Sequence, residues 1–287
     1  MYCTHDLHTH STASDGTLAP AELVRRASTA GILCLGLTDH DTTDGLSEAA
    51  HTAQELPIEL IPGVEISVTW NGGTVHLVGL RIDPAAPGLT AGLARLREFR
   101  DWRAEEIGRR LGKAGIPNAY AGALALSSGK LVGRTHFARF LVRAGVVAEE
   151  RDVFKRFLTQ GKPGHVPGQW AELGDAIGWI RDAGGVPVLA HPARYPFTRG
   201  KLRRLLGEFK EGGGIGMEVV SGSHSRDDMF SMTRLAMDFR LLASAGSDYH
   251  GPECTWISLG RLPIPPPGPH PLWRDWPLPE FSQRSVA

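Results

Sequence analysis

Short apolar runs alternate with amphipathic stretches along most of this chain. An apolar run ending in His8-Thr9-His10 is followed by a loop, and Pro20 then opens the amphipathic segment AELVRRASTAG, closed by Gly31. The pattern repeats: ILCLGLT leads into Asp39-His40, LSEAAHTAQEL reads as a helix, and IELIPGVEIS and TVHLVGLRI read as strands. Asn71-Gly72-Gly73 between those two is a turn signal that predicts a hairpin. Further on, the helices LGDAIGWIRDAGG, KLRRLLGEFKEGG and DDMFSMTRLAMDF alternate with the strands VPVLAHP, IGMEVVSG and LLASAGSD. Seven strands alternating with helices predict an α/β fold with a largely parallel sheet, closed or nearly closed into a barrel.

The rhythm stops between residues 91 and 169, where LARLREFRDWRAEEIGRRLGKAG, THFARFLVRAG and RDVFKRFLTQ are all helix-like. The expected organisation is therefore one discontinuous barrel, 1–90 and 170–287, with a helical insertion, 91–169, covering it. The stretch PIPPPGPHPLWRDWPLP is too rich in proline for a helix or central strand and is expected to wrap the surface in extended form.

Composition narrows the function classes. With 287 residues, 41% hydrophobic and 22% charged, the chain has the make-up of an ordinary globular protein large enough to bury a full core. No run approaches the roughly 18 apolar residues of a membrane helix. The N-terminus MYCTHDLHTHS shows no basic region before an apolar stretch, so no secretory signal and a cytoplasmic compartment are expected. Cys3, Cys34 and Cys254 are odd in number and form no C-x-x-C pair, which reads as reduced, structural thiols. A formal net charge of zero provides no global field for a polyanion. No protein partner is indicated.

The chemistry lies in the histidines and carboxylates. His8 and His10 stand two apart on a strand, so both imidazoles leave one face. Asp39-His40, Glu65, His76, His191 and Asp248-x-His250 all fall within or just after strands, and Asp15 follows the first. Parallel barrels build their sites where strands end, so these residues converge at one rim. Nitrogen and oxygen donors without thiolates suit zinc, manganese or iron, and so many exceed the needs of one ion. A multinuclear centre of this kind serves phosphoester hydrolysis, by activating a bridging hydroxide and neutralising phosphate charge.

The motifs DLHTHS, LTDHD, GVE, His76, AHP and SDYH, in this order, resemble the PHP (polymerase and histidinol phosphatase) superfamily of metal-dependent phosphoesterases. The resemblance implies a distorted (β/α)7 barrel carrying two or three divalent metal ions. His8, His10, Glu65 and Asp248 would hold one, Glu65, His76 and His191 a second, and Asp15, His40 and His250 a third. Asp15 replaces a histidine found in some relatives, and an oxygen donor there favours harder ions such as manganese or magnesium. GRTHFARFLV, LTQGKPGHVP, AHPARY and SGSHS resemble the branch acting on nucleoside 3′,5′-bisphosphates and on short 5′-phosphorylated RNA. A phosphatase of a small metabolite, such as histidinol phosphate, is the alternative within the same chemistry. A non-catalytic metal-binding scaffold is the alternative of another class.

Beyond the ligands, Arg134 and Arg194 are read as phosphate clamps. His224 is read as a phosphate donor or general acid, and with Glu65 and Asp248 completes the expected catalytic set. Trp102, Phe137 and Trp170 are candidate stacking faces, with core packing as the competing use. Arg95, Arg97, Arg100, Arg103, Arg109 and Arg110, interleaved with Glu98, Asp101, Glu105 and Glu106, read as a solvated helix. His136 and His165 read as polar-surface histidines. His5, His51 and His270 carry no expected role.

Overall fold

A computed structural model describes residues 2–127, 131–253 and 257–276. Seven strands form one path in the order β1 (His5–Thr9), β2 (Cys34–Leu37), β3 (Glu59–Trp70), β4 (Gly73–Leu80), β6 (Val186–Leu189), β7 (Gly216–Ser221) and β8 (Leu242–Gly246). The two-residue strand β5 (Ala171–Glu172) pairs with β3 off this path. The sheet curls back on itself: His10 N donates to Tyr249 O and Asp248 N to His8 O, both at 2.9 Å, joining β1 to the end of β8. This is the nearly closed seven-stranded barrel that the strand rhythm predicts, and the distorted (β/α)7 form that the family resemblance implies.

One element departs from a parallel sheet. The hairpin at Asn71-Gly72 is formed as expected, and it reverses β4, which runs antiparallel to both β3 and β6. The reversal has a use: β4 begins at the rim where β3 ends, so His76, early in β4, reaches the same mouth as residues that follow the other strands.

Side-chain alternation sorts the two faces of the sheet. On β3, Val64, Ile66 and Val68 face outward into a large apolar cluster with Leu89 and Leu93 of α3 (Pro87–Lys113) and Ile177 and Ile180 of α7 (Leu173–Asp182). The opposite parity gives Ile61, Glu65 and Ser67. Ile61 joins Leu7, Val78, Leu80, Val188 and Ala190 in a separate cluster. Ile61 shares its strand face with Glu65, and Val78 shares its face with His76, so this apolar plug lies inside the barrel below the polar mouth.

Leu272 belongs to the same plug and donates its N–H to Ala243 O at 2.8 Å. The described part of the proline-rich C-terminal stretch is therefore more than a surface wrap, because it seals the end of the barrel where the strands begin. His5, expected to have no role, stacks on Trp273 of this segment with ring centroids 4.6 Å apart. Residues 277–279 of that stretch, like Cys254, lie outside the described residues. Cys3 and Cys34 are buried free thiols, pushed up to about 11 and about 12 by burial.

The segment after β4 is helical. α3 packs its first half on the barrel and turns Ala104, Ile107 and Leu111 into a second apolar cluster with α4 (Ala119–Leu126), α5 (Arg134–Arg143) and α6 (Glu150–Val153), which runs on as a π-helical turn at Phe154–Leu158. Phe137 is fully buried in that cluster, so it has no face for a base. Among the described residues, no helix is long and apolar enough to cross a membrane.

Candidate metal centre

The side chains placed at the strand ends by sequence do converge. His8 and His10 point their Nε2 atoms at each other, 3.1 Å apart, and each lies 3.4 Å from Glu65 Oε2. Asp248 Oδ1 approaches the same pair, 3.2 Å from His10 Nε2 and 3.6 Å from His8 Nε2. The other Glu65 oxygen, Oε1, faces His76 Nδ1 at 2.9 Å and His191 Nε2 at 3.1 Å. Glu65 thus sits between two groups, one at each oxygen. Asp15 Oδ1 anchors a third, with His250 Nε2 at 3.2 Å, His10 Nδ1 at 3.9 Å and His40 Nε2 at 4.0 Å.

Several of these atoms are close yet do not bond one another. Glu65 Oε2 and His40 Nδ1 are 2.8 Å apart but misaligned, and neither has a hydrogen-bond partner. The same is true of His10 Nδ1, Asp15 Oδ1, His76 Nδ1 and His191 Nδ1, all buried. Buried polar atoms left unpaired are costly, so a crowd of donor atoms aimed at common points fits bound cations. Neutral imidazole and ionised carboxylate are the forms that ligate. Burial holds His10 down to about 3 and His76 down to about 4. Burial by itself would raise the Glu65 carboxyl, but His40, His76 and His8 around it hold it well below the usual range. Asp15 and Asp248 are held down the same way, against burial, most strongly by His250.

The backbone is bent to make this arrangement. His191 and Asp248 both take left-handed conformations, φ 30° and 55°, which non-glycine residues adopt only where the surroundings hold them. One such hold is Glu218, fully buried on β7. Its Oε2 accepts the His191 N–H and its Oε1 lies 2.6 Å from His8 Nδ1. Gly246 on the neighbouring strand is needed for this: a Cβ there would meet Glu218 Oε1 at 2.7 Å and the His8 side chain. Glu218 escaped the sequence reading. The signal was a single carboxylate inside the apolar run IGMEVVSG.

Asp39, part of the Asp39-His40 pair, does not face the cluster. It accepts from Ser11 N at 2.8 Å and from Ser11 Oγ and Ser14 Oγ at 2.6 Å each, which shapes the loop that presents Asp15. His136, read as a surface histidine, is 1% exposed and its Nδ1 accepts the Gly133 N–H at 3.0 Å. His224 stands apart: its Nδ1 turns to Val219 O at 3.3 Å, and it is not among the residues that line the cavity.

A cavity of about 250 Å³ opens over the cluster. Asp15, His40, Glu65, His76, His191, Asp248 and His250 line it, together with Arg100, Arg103, Arg134, Trp170 and Arg194. The reading of α3 as a solvated helix therefore fails at two positions. Arg100 and Arg103 are 9% and 8% exposed. Arg100 donates to Asp41 Oδ2 at 2.6 Å and Ser67 Oγ at 2.9 Å, while Arg103 donates Nε and Nη2 to Val166 O at 3.2 Å each. Arg95, Arg109 and the acidic neighbours at Glu106 keep the expected outer position, with Arg109 and Arg110 paired to Glu106. Trp102 is 53% exposed on the outside of α3. The Trp170 ring lies under the guanidiniums of Arg100 and Arg103, at 5.0 and 5.3 Å.

The family model described as "PHP domain" matches residues 6–159, more than half of the chain. The chain belongs to the PHP family. Among proteins similar to this PHP member, a 3′,5′-nucleoside bisphosphate phosphatase of Chromobacterium violaceum is 48% identical over 271 residues, covering 94% of this chain and 95% of the relative. A 5′-3′ exoribonuclease of Haemophilus influenzae is 49% identical over 257 residues, covering 90% and 93%. The fold superposes on the solved structure of an amidohydrolase from Chromobacterium violaceum, with sulfate bound and no metal, at a TM-score of 0.91 and 48% identity over 95% of each chain.

Proposed function

We propose that this PHP protein is a metal-dependent phosphoesterase that removes the 3′-phosphate of nucleoside 3′,5′-bisphosphates and trims short 5′-phosphorylated RNA from its 5′ end. The observation that carries the reading is the convergence of ligand-type side chains, several with buried unpaired atoms, on the floor of a cavity whose walls hold four arginines. The names of the two relatives above support the choice of substrate.

In this reading His8, His10, Glu65 and Asp248 hold one ion, Glu65, His76 and His191 a second, and Asp15, His40 and His250 a third. Manganese, iron or zinc suits the donor set, with magnesium admissible beside Asp15. Divalent ions at such a centre neutralise phosphate charge and lower the pKa of water toward 7. The chain's own groups do the rest. Glu65 spans two of the groups and sets their spacing. Arg194 donates to Asp248 Oδ2 at 2.8 Å, which leaves its remaining donors beside the position a reacting phosphate would take. Tyr195 accepts the His76 N–H at 2.8 Å and donates to Ala190 O at 3.0 Å, fixing the backbone on which His76 stands. The helical segment 91–169 acts as a cover that brings Arg100, Arg103 and Arg134 over the floor and excludes water. His224, whose Nδ1 lies against Val219 O and which does not line the cavity, is not assigned the acid's role.

Release of inorganic phosphate by the manganese-supplemented protein tests the reading, with 3′-phosphoadenosine 5′-phosphate, a 5′-phosphorylated oligoribonucleotide and histidinol phosphate as substrates. The two nucleotide substrates are expected to be turned over and histidinol phosphate to lag far behind, because a small metabolite would leave the arginines of the cover unused. Preference for histidinol phosphate overturns the substrate assignment. No turnover of any of the three, with or without metal, would favour the non-catalytic scaffold.

A further inference from the structure

Trimming RNA from its 5′ end makes a geometric demand that a mononucleotide does not: the rest of the strand must leave the cavity on the 3′ side of the scissile bond. Two aromatic runs lead away from the cavity. One starts at Trp170 in the cavity wall, where Phe99 stands edge-on at 4.8 Å, and ends at Trp102, 5.5 Å from Phe99 on the outside of α3. Its outer end lies among carboxylates, because Glu98, Glu105 and Glu106 stand four before, three after and four after Trp102 on the helix. A phosphate chain would be repelled there.

The other run carries the opposite charge. Tyr195 lines the cavity, and its ring lies 5.4 Å from that of Phe197. Phe197 in turn packs against Trp70, 5.5 Å away and 5% exposed, at the end of β3 that forms the rim. Lys201, in the first turn of α8 (Arg199–Glu211), holds its Nζ 4.4 Å from the centre of the Phe197 ring. The backbone fixes both residues: Phe197 N–H donates to Tyr195 O at 2.7 Å, and Lys201 N–H donates to the Thr198 hydroxyl at 3.3 Å. On the same helix Arg203 and Arg204 are paired with Asp238 and Glu208, whereas Lys201 has no carboxylate within ion-pair distance among the described residues. Proteins that bind single-stranded nucleic acid combine these elements, a ring for the base and a cation for the phosphate beside it.

We propose that Phe197 and Lys201 form an exit track for single-stranded RNA, in which a base on the 3′ side of the scissile bond stacks on the Phe197 ring and its phosphate meets Lys201. The proposal rests on the nucleotide reading above and deepens it. A 3′,5′-bisphosphate ends inside the cavity and leaves the track empty, while an oligonucleotide runs over Tyr195 onto it. The track is short and local, in keeping with a chain of zero net charge that offers a polyanion no global field. Phe197 and Lys201 are then the residues that set how strongly the protein prefers RNA to a mononucleotide.

The test uses the manganese-supplemented wild type, Phe197→Ala, Lys201→Gln and, on the other aromatic run, Trp102→Ala. Turnover is measured with 3′-phosphoadenosine 5′-phosphate and with a 5′-phosphorylated hexaribonucleotide. Binding is measured by fluorescence anisotropy of the same oligonucleotide, labelled at its 3′ end and carrying a methylphosphonate at its first linkage to block cleavage. All three variants are expected to keep the wild-type kcat/KM for the bisphosphate. Phe197→Ala should weaken oligonucleotide binding about fivefold or more, the scale of one lost stacked base. Lys201→Gln should flatten the dependence of log Kd on log salt by about 0.7, the share of one phosphate contact on a single strand, and Trp102→Ala should change neither. A loss for the bisphosphate in Phe197→Ala equal to that for RNA marks a packing effect, and the Lys201→Gln salt slope then decides. Unchanged oligonucleotide binding and salt slope in both track variants, or a loss confined to Trp102→Ala, overturns the proposal. A wild type that turns over neither substrate defeats the functional reading instead, and the anisotropy arm still decides the track.

Discussion

Glu218 Oε1 lies 2.6 Å from His8 Nδ1, and the other oxygen of the same carboxylate accepts the backbone N–H of His191. One buried side chain on β7 therefore steers two strand ends. In the neutral form that ligates a metal, a His8 ring donating Nδ1–H to Glu218 carries its lone pair on Nε2, the atom that faces His10, Glu65 and Asp248. Partners of this kind typically account for 10- to 100-fold in metal affinity. Glu218→Gln is expected to weaken manganese binding by about that factor in an isothermal titration, with secondary structure unchanged by circular dichroism. Metal affinity equal to wild type would remove Glu218 from the site.

Arg194 and Asp248 touch each other but should fail differently. Asp248→Ala and His191→Ala remove proposed ligands and are expected to abolish turnover at any substrate concentration. Arg194→Ala should act mainly through KM for the nucleotide. Equal, mild effects from all three, in steady-state kinetics, would sink the site as drawn.

The Arg100–Asp41 pair ties the cover to the barrel. Both side chains are nearly excluded from water, and breaking such a pair from one side typically costs about 3–5 kcal/mol because the remaining charge stays buried. Arg100→Met is expected to lower unfolding free energy by about that much in a urea titration, and adding Asp41→Asn should restore part of the loss. Strict additivity of the two substitutions would show that the pair is not coupled.

Much of this was legible in the chain. Strand rhythm predicted the barrel because each strand is a short apolar run bounded by turn residues, and the turn at Asn71-Gly72 placed the hairpin. The spacing of His8 and His10 placed both imidazoles on one face, as found. What was not legible depends on contacts between distant segments. Nothing local to α3 distinguishes Arg103, packed against Val166 and Trp170, from Arg109, which pairs with Glu106 on the outer face. Glu218 looked like a lone polar residue in a core strand, and its meaning came only when β7 was laid beside β8 and the mouth of β1. His224 is a further case: its Nδ1 lies against the Val219 carbonyl of the preceding strand, a contact that Ser221-Gly222-Ser223-His224 does not announce.

The seal at the other end of the barrel should respond to acid. Burial lowers the His5 ring from 6.5 to about 4, where it stacks on Trp273. A histidine with a depressed folded-state pKa stabilises the fold above its unfolded pKa, and that contribution is lost as pH falls from about 6.5 to about 4. Wild-type unfolding free energy should therefore drop across this window, and His5→Gln should show a shallower drop. Identical pH profiles would mean that other groups carry the acid sensitivity.

The central claim is that Glu65 joins two of the metal positions through its two oxygens. Metal equivalents per chain, measured by mass spectrometry after manganese loading and desalting, test it most directly. The account predicts two or three equivalents for the wild type and the loss of more than one equivalent in Glu65→Gln, since both neighbouring sites share that carboxylate. A wild type that holds no metal, or a Glu65→Gln variant that keeps the full complement, would contradict it.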